Sequence, residues 1–309
     1  MSKRVLTFLD FLNESAKSSK GKVLFISFTD KTRGVSYHDY LGSKLNADFC
    51  KWEDLVFDGG EITFKGNPLK NYGFIFVGVV SKHPDYFVSV EEYAKTNKIP
   101  HFKYGCSPER NNKLFQNRIL STNNLNPVPT VISKCSEIKM DELVEELGLP
   151  LVAKITDGSQ GKGVTLQKNK TSLKQYLKSN KDQTTIFQKF IENDGDYRLF
   201  FINGKLLYAI ERKSADKSKE FRNNYSLGGT VKRVDLPKEA TNLAKKASKA
   251  MGFDVSGVDL IKSPEGEWFV LEINSAPQFG TKNGKEIVVD YKMVLDEFVD
   301  IIKSKMVNQ

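Results

Sequence analysis

Val255-Ser-Gly-Val-Asp259-Leu-Ile-Lys-Ser-Pro264-Glu-Gly266-Glu-Trp-Phe-Val-Leu-Glu272-Ile-Asn274-Ser275 reads as two strands and a turn. Pro264, Glu265 and Gly266 carry turn chemistry between runs rich in Val, Leu, Ile, Trp and Phe, so 255–262 and 267–274 are expected to pair antiparallel. Strand side chains alternate with period 2, which sets Glu272 and Asn274 on one face and Phe269, Leu271 and Ile273 on the other. Asp259 lies on the partner strand. Two carboxylates and an amide oxygen converging from neighbouring strands form a hard-oxygen set of the kind that holds Mg²⁺ against nucleotide phosphates. Three solvated residues on a sheet face would give the same pattern, so the rest of the chain has to decide.

The 309 residues can bury a large core and suggest two or three domains or lobes. A content of 39% hydrophobic and 28% charged residues is that of an ordinary soluble protein. No apolar run has the length of a membrane span, and the first residues lack the apolar core of a signal peptide, so a cytoplasmic protein without a membrane partner is expected. Cys50, Cys106 and Cys135 are odd in number, far apart and in no C-x-x-C pair, which argues against a disulfide framework or a zinc site. His38, His83 and His101 also stand apart, leaving zinc or Ser-His-Asp chemistry without support. The net charge of +9 favours an anionic partner, whether nucleotide, acidic peptide or nucleic acid.

Residues 1–20 carry Leu6, Leu9, Phe11 and Leu12 before a polar run, the pattern of a short amphipathic helix and a joint. Leu12-Asn13-Glu14 also resembles the cleavable leaders of some tailed-phage head proteins, which are trimmed after a glutamate. From Lys22 strand and helix patterns alternate: strands at 23–28, 74–80 and 101–104, helices at 35–45 and 88–97, and a hairpin over 55–65 around Asp58-Gly59-Gly60. This is a βαβ-type N-terminal domain over 21–106. Ser107 and Pro108 then start a helix that is expected to run past Lys113 to about Leu125, where Asn126-Pro127-Val128-Pro129 stops it. A strand at 130–132, a helix at 141–148 and a strand at 151–155 follow.

That last strand leads from Lys154 into Gly158-Ser159-Gln160-Gly161-Lys162-Gly163, where three glycines let backbone N–H groups approach a ligand closely. It is not a Walker A loop, because 164–167 continues as a strand rather than a helix. A glycine loop joining two antiparallel strands makes a flap over phosphates, with Lys154 placed to meet their charge; an ordinary hairpin is the alternative. After a helix at 172–179, a strand ends in Gln188-Lys189-Phe190-Ile191, and Asn203-Gly204 marks a tight hairpin between 196–202 and 205–211. Between Asp196 and Arg233 stand nine Lys or Arg against four Asp or Glu, including Arg198, Arg212 and Arg222. They make either a solvated basic face or a pocket for phosphates and a carboxylate substrate, since Arg offers both a bidentate fork. A helix at 237–252 leads back to the opening hairpin, and a last helix at 288–305, with spaced apolar residues, looks like core packing.

In this order the pieces resemble the ATP-grasp carboxylate–amine ligases, and within them the RimK-like group that includes enzymes adding amino acids to peptide or protein ends. The motifs that carry the resemblance span roughly 107–279. They are the Lys113 helix, the Lys154 strand with its glycine loop, Gln188-Lys189-Phe190-Ile191, and Asp196-Tyr-Arg198 with Glu211-Arg212 and Phe221-Arg222-Asn223-Asn224. Asp259 with Glu272-Ile-Asn274 completes them. The resemblance implies an α/β (α+β) ATP-grasp fold: a pre-ATP-grasp domain at 21–106, a central lobe with a lid loop at 107–182, and a C-terminal lobe with the metal site at 183–309.

It further implies that Lys113, Lys154 and the loop residues Gly158, Ser159, Gln160, Gly161 and Gly163 contact ATP phosphates. Gln188, Lys189, Phe190 and Ile191 would hold adenine, mainly by backbone, and Asp196 the nucleotide at the ribose. Lys154, Arg222 and Asn224 become the catalytic set, Arg198, Arg212, Arg222, Asn223 and Ser275 the substrate contacts. Asp259, Glu272 and Asn274 become the ligands of two Mg²⁺ ions, with Mn²⁺ as the alternative metal. Two departures stand out: Lys189 where an acidic residue is common, and Gln278 where a small residue usually follows Pro277. The expected activity joins a carboxylate to an amine through an acylphosphate, the partners being an amino acid, peptide or protein end, and dimers or tetramers are common in the family. The alternatives are a non-catalytic binder of an anionic polymer such as nucleic acid, and a protein-modifying ligase packaged in a phage particle.

Overall fold

The run Val23-Leu-Phe-Ile is apolar at every position, as a strand covered on both faces must be. A computed structural model describes residues 21–28, 36–78, 84–155, 163–214, 229–280, 282–283 and 286–307. In it these four residues form β1 (Val23–Ile26), fully buried. Helix α1 (Tyr37–Gly42) and β2 (Ala47–Cys50) follow, then an antiparallel meander of β3 (Leu55–Asp58), β4 (Glu61–Phe64) and β5 (Asn67–Pro68). Strand β6 (Phe74–Val77), helix α2 (Pro84–Thr96) and β7 (His101–Lys103) complete a parallel sheet in the order β2-β1-β6-β7. Helix α2 and the meander cover one face, where Phe87, Val90 and Ala94 meet Leu24, Ile26 and Val77.

The expected single helix after Ser107 is broken in two. Helix α3 (Pro108–Asn111) stops at Asn112, whose backbone is extended and whose side chain accepts the Leu114 N–H at 2.8 Å, capping α4 (Lys113–Thr122). Lys113 thus opens a helix instead of lying within one.

The second sheet is antiparallel throughout. It comprises β8 (Thr130–Lys134), β9 (Leu151–Ile155), β10 (Val164–Gln167) and β11 (Thr184–Lys189), in the order β10-β9-β11-β8. Helices α5 (Met140–Leu147) and α6 (Lys170–Ser179) pack on one face through Leu143, Leu147 and Leu173 against Leu151, Ala153 and Phe187. The other face carries Lys154 and Gln188.

The third sheet contains β12 (Asp196–Ile202), β13 (Lys205–Lys213) and β14 (Thr230–Arg233). Helix α7 (Lys238–Met251) leads to β15 (Val255–Lys262) and β16 (Trp268–Asn274), giving the order β14-β13-β12-β15-β16. The turn between β12 and β13 puts Asn203 at φ +48° and Gly204 at φ +73°, the left-handed pair that a two-residue hairpin needs. Alanines 240, 244 and 247 bring α7 close against Leu199, Phe201, Val258 and Leu260. On the opposite face Phe200, Tyr208 and Val255 share one core with Phe25, Phe76 and Phe102 of the first sheet and with Phe298 of α8 (Tyr291–Val307).

The opening hairpin pairs antiparallel as expected, but its alternation is interrupted. Asp259 faces Glu272 while Leu260 faces Val270, so Leu271 is an extra residue, a β-bulge. Ile273 still packs on the α7 side with Val270. Leu271 and Phe269, expected on that side too, instead join Val128, Ile191 and Ile261 on the face that carries Glu272. One inserted residue reverses the parity of everything before it. The leader-like residues 1–20 lie outside the described residues. Among the described residues no helix is long and apolar enough to cross a membrane, and the three cysteines are free thiols.

Candidate active site

Lys154 emerges from the middle of a sheet whose neighbours are apolar, so its ammonium has few polar groups within reach. It donates to Oε1 of Gln188 on β11, whose Nε2 in turn donates to Thr130 Oγ1 at 3.0 Å. Desolvation pushes the Lys154 ammonium down to about 8, with Lys113 adding repulsion and Glu272 partly opposing the shift. A cation held this way favours any ligand that brings negative charge.

That ligand has a place to lie. Lys113, Lys154, Gln188 and Glu272 line one cleft between the second sheet, α4 and β16. Lys113 Nζ stands 3.8 Å from Glu272 Oε2. Gln116, Asn117 and Leu120 complete the α4 wall, three residues that the motif reading missed. Their spacing from Lys113 is i+3, i+4 and i+7, one helix face, so the signal was present once Lys113 was taken as the helix start. Buried Gln116 also fixes the third sheet, since its Oε1 accepts the Ile273 N–H at 3.2 Å. Apolar walls come from Ile132, Ile186 and Leu271, the last brought there by the bulge.

Beside the cleft, across β13, β12 and β15, runs a buried charge network. Arg198 donates from Nε and Nη2 to the two oxygens of Asp259, each at 2.7 Å, and Arg212 Nη2 donates to Asp259 Oδ2 at 2.9 Å. The Nε of Arg212 binds Asp196. Burial alone would raise the Asp259 carboxyl, but the two guanidiniums hold it below the usual carboxylate range. Asp196 goes the other way, up to about 6, because burial outweighs its single Arg212 partner and Asp259 adds repulsion. Both arginines are held well protonated by these carboxylates.

A family model described as the RimK-like ATP-grasp domain matches residues 110–297. The chain belongs to the RimK-like ATP-grasp family. A probable alpha-L-glutamate ligase of Aliivibrio salmonicida is 31% identical over 223 residues, covering 70% of this chain and 73% of the relative. One of Shewanella pealeana is 38% identical over 170 residues, but the match covers 53% of this chain and only 36% of that protein. The chain therefore spans little more than a third of the Shewanella relative's length. Among solved structures, the ATP-grasp ligase PsnB complexed with precursor peptide PsnA2 and AMPPNP superposes with a TM-score of 0.69 at 15% identity, covering 93% of this chain and 99% of PsnB. The D-alanine–D-alanine ligase of Bacillus anthracis complexed with ATP gives 0.60 at 15% identity, covering 93% and 98%. At such identities the likeness establishes the ATP-grasp fold.

In this RimK-like ATP-grasp chain the residues singled out in the sequence fall into three groups. Lys113, Lys154, Gln188 and Glu272 share the cleft, with Asn274 next to Glu272: its Nδ2 donates to Glu272 Oε1 at 3.1 Å. Asp196, Arg198, Arg212 and Asp259 form the network instead of lining the cleft, and Ser275 is buried at the end of β16. Lys189 is exposed and its N–H goes to the Pro129 carbonyl; Phe190 and Ile191 lie beyond the end of β11, Ile191 buried against Phe269. Gly163 precedes β10 with φ +74°, and its carbonyl accepts the Ile155 N–H at 3.3 Å. Gly158, Ser159, Gln160, Gly161, Arg222, Asn223 and Asn224 lie outside the described residues.

A hard divalent cation suits this donor chemistry. Glu272 is half-buried, and with its nitrogen committed to Glu272, Asn274 has an amide oxygen to offer. Asp259 faces Glu272 in register, though three of its acceptor positions already serve arginine. Among the described residues no three His, Cys, Asp or Glu side chains converge on a metal position, so ligand oxygens would have to complete the shell.

Proposed function

We propose that this chain is an ATP- and Mg²⁺-dependent carboxylate–amine ligase that forms an amide bond through an acylphosphate, adding an amino acid to a peptide or protein end or joining small acidic substrates. The observation that carries the reading is the convergence of Lys113, Lys154 and the Glu272–Asn274 pair on one cleft between two sheets. A cleft that brings two ammonium groups and hard oxygen donors together suits a polyphosphate and its counter-ion.

The chemistry follows from charge. A substrate carboxylate oxygen attacks the γ-phosphorus of ATP, the bond to ADP breaks, and an acylphosphate results. An amine nitrogen then attacks the acyl carbon, phosphate leaves, and the amine's proton passes to solvent. Lys154, charged below about pH 8, and Lys113 offset the negative charge that builds on phosphoryl oxygens. Glu272, Asn274 and Asp259 would hold Mg²⁺, which supplies further neutralisation of the phosphates when bound. The apolar walls from Ile132, Ile186 and Leu271 limit water around the reacting groups. No covalent enzyme nucleophile is needed.

The test is a screen of the amino acids and of acidic peptides for substrate-dependent phosphate release, followed by the mass of the product. A dehydrative mass gain with one pair of substrates is expected, and it should vanish in the Asp259→Ala, Glu272→Ala double variant. Turnover that survives in that variant, or steeply salt-dependent binding of nucleic acid without any ATP turnover, would overturn the reading.

A further inference from the structure

The segment after Asn274 is held at three points that the ligase chemistry above does not use. Gly257 on β15 is the register partner of Asn274, and a Cβ there would stand 2.7 Å from Cβ of Pro277 and 3.4 Å from Cδ of Arg198. Pro277 therefore lies directly on the sheet, beside the arginine that clamps Asp259. Its carbonyl accepts a hydrogen bond from the hydroxyl of Tyr104, which arrives from just past β7, 173 residues away in the chain. Tyr104 itself extends the first sheet, its N–H donating to the Val77 carbonyl at 2.8 Å. Its ring meets Phe28, Phe279 and Phe298 edge-on, and Phe279 stacks on Tyr37 with centroids 5.5 Å apart. Beyond Phe279, Gly280 has φ +72° and approaches Tyr291 so closely that a Cβ would stand 2.8 Å from that residue's own Cβ. Ser275, Pro277 and Gly280 are buried, while Gln278 is exposed between them.

A phenylalanine at 104 would satisfy the same aromatic packing. The hydroxyl adds one thing, a donor for the carbonyl of a buried residue in the segment that follows the third sheet's last strand, and burial keeps that phenol protonated at any working pH. We propose that Tyr104 is a positioning residue: through the Pro277 carbonyl the first sheet sets where segment 275–280 lies, and with it the strand end bearing Asn274 and the neighbouring Arg198. The inference rests on the ligase reading for its kinetic consequence, and on geometry alone for the brace itself.

The experiment uses the full chain with Tyr104→Phe, which keeps the ring. With the best substrate pair from the phosphate-release screen, kcat is expected to fall about 10-fold, while KM for ATP stays within about 2-fold and Tm within about 3 °C. Amide exchange over 274–280 should quicken about 10-fold while exchange in β1 and β6 holds. Gly257→Ala, whose added Cβ would press on the Pro277 ring, should give the same kcat loss without adding fully to Tyr104→Phe. Unchanged exchange over 274–280 would overturn the brace whether or not a substrate is found. Faster exchange with wild-type kinetics, or a loss of rate matched by equal losses in ATP affinity and Tm, would overturn the positioning role and leave a structural one. A wild-type protein that releases no phosphate with any substrate fails the ligase reading instead.

Discussion

Lys154 shows how one buried side chain can work against the fold. Its folded value of about 8 lies below the unfolded value of about 10.4. Between those values the unfolded chain binds more protons, so stability from this group rises with pH across that window, and below about pH 8 the cost of burying the charge is present in full. Lys154→Met should therefore raise stability at pH 7 by about 1 kcal/mol, with the gain shrinking toward pH 10, measured by chemical denaturation at both values. On the proposed function ATP should raise the Tm of the parent protein, and the same variant should lose that rise. A destabilised variant at pH 7 would mean that the bond to Gln188 outweighs the desolvation it accompanies.

At the scale of elements, the strand pair β15–β16 carries two carboxylates in register with opposite surroundings. Asp259 is buried and serves two guanidiniums, whereas Glu272 is half-buried and lies 3.8 Å from one ammonium. Asp259→Asn leaves Arg198 and Arg212 short of a countercharge and should cost about 3–5 kcal/mol. Glu272→Gln should cost less than about 1 kcal/mol. Both should abolish phosphate release, so denaturation midpoints set beside turnover will separate the two. The depressed Asp259 carboxyl gives stability that is present above its unfolded value of about 3.9 and is lost as pH falls through its folded value. The hairpin itself and its turn were legible in the sequence, because period-2 alternation and turn chemistry are local; the facing of Asp259 and Glu272 was not, because without the bulge Asp259 would face Leu271. The bulge at Leu271 was not, since an inserted residue leaves no mark in composition and is chosen by what each side chain packs against. The break at Asn112 was missed for a different reason: a capping side chain competes with helix continuation only by a small local margin.

Across the whole molecule, the first and third sheets are one body and the second is a smaller one. Phe25, Phe76, Phe102, Phe200 and Phe298 belong to a single core, while Leu143, Leu151, Leu173 and Phe187 form their own. Phe298→Ala should cost about 3–5 kcal/mol. Its faster amide exchange should appear in β1, β6, β12 and β15 together and spare β9 and β11. Hydrogen exchange with mass detection checks this, and a loss confined to the third sheet would show that the shared core does not unfold as a unit. The cleft lined by Lys113, Lys154, Gln188 and Glu272 lies where the second sheet meets α4 and β16.

What the chain's residues determined by themselves was what is set within a few positions: the hairpin and its turn, the shared face of Glu272 and Asn274, the Asn203-Gly204 turn, and the order of the motifs. The tertiary structure decided which of those residues share a cleft and which are spent on one another. Asp259 meets Arg198 and Arg212 across separations of 61 and 47 residues, and Tyr104 meets Pro277 across 173. A buried charge or carbonyl must find its partner wherever the packed sheets bring one, and no local period records that choice.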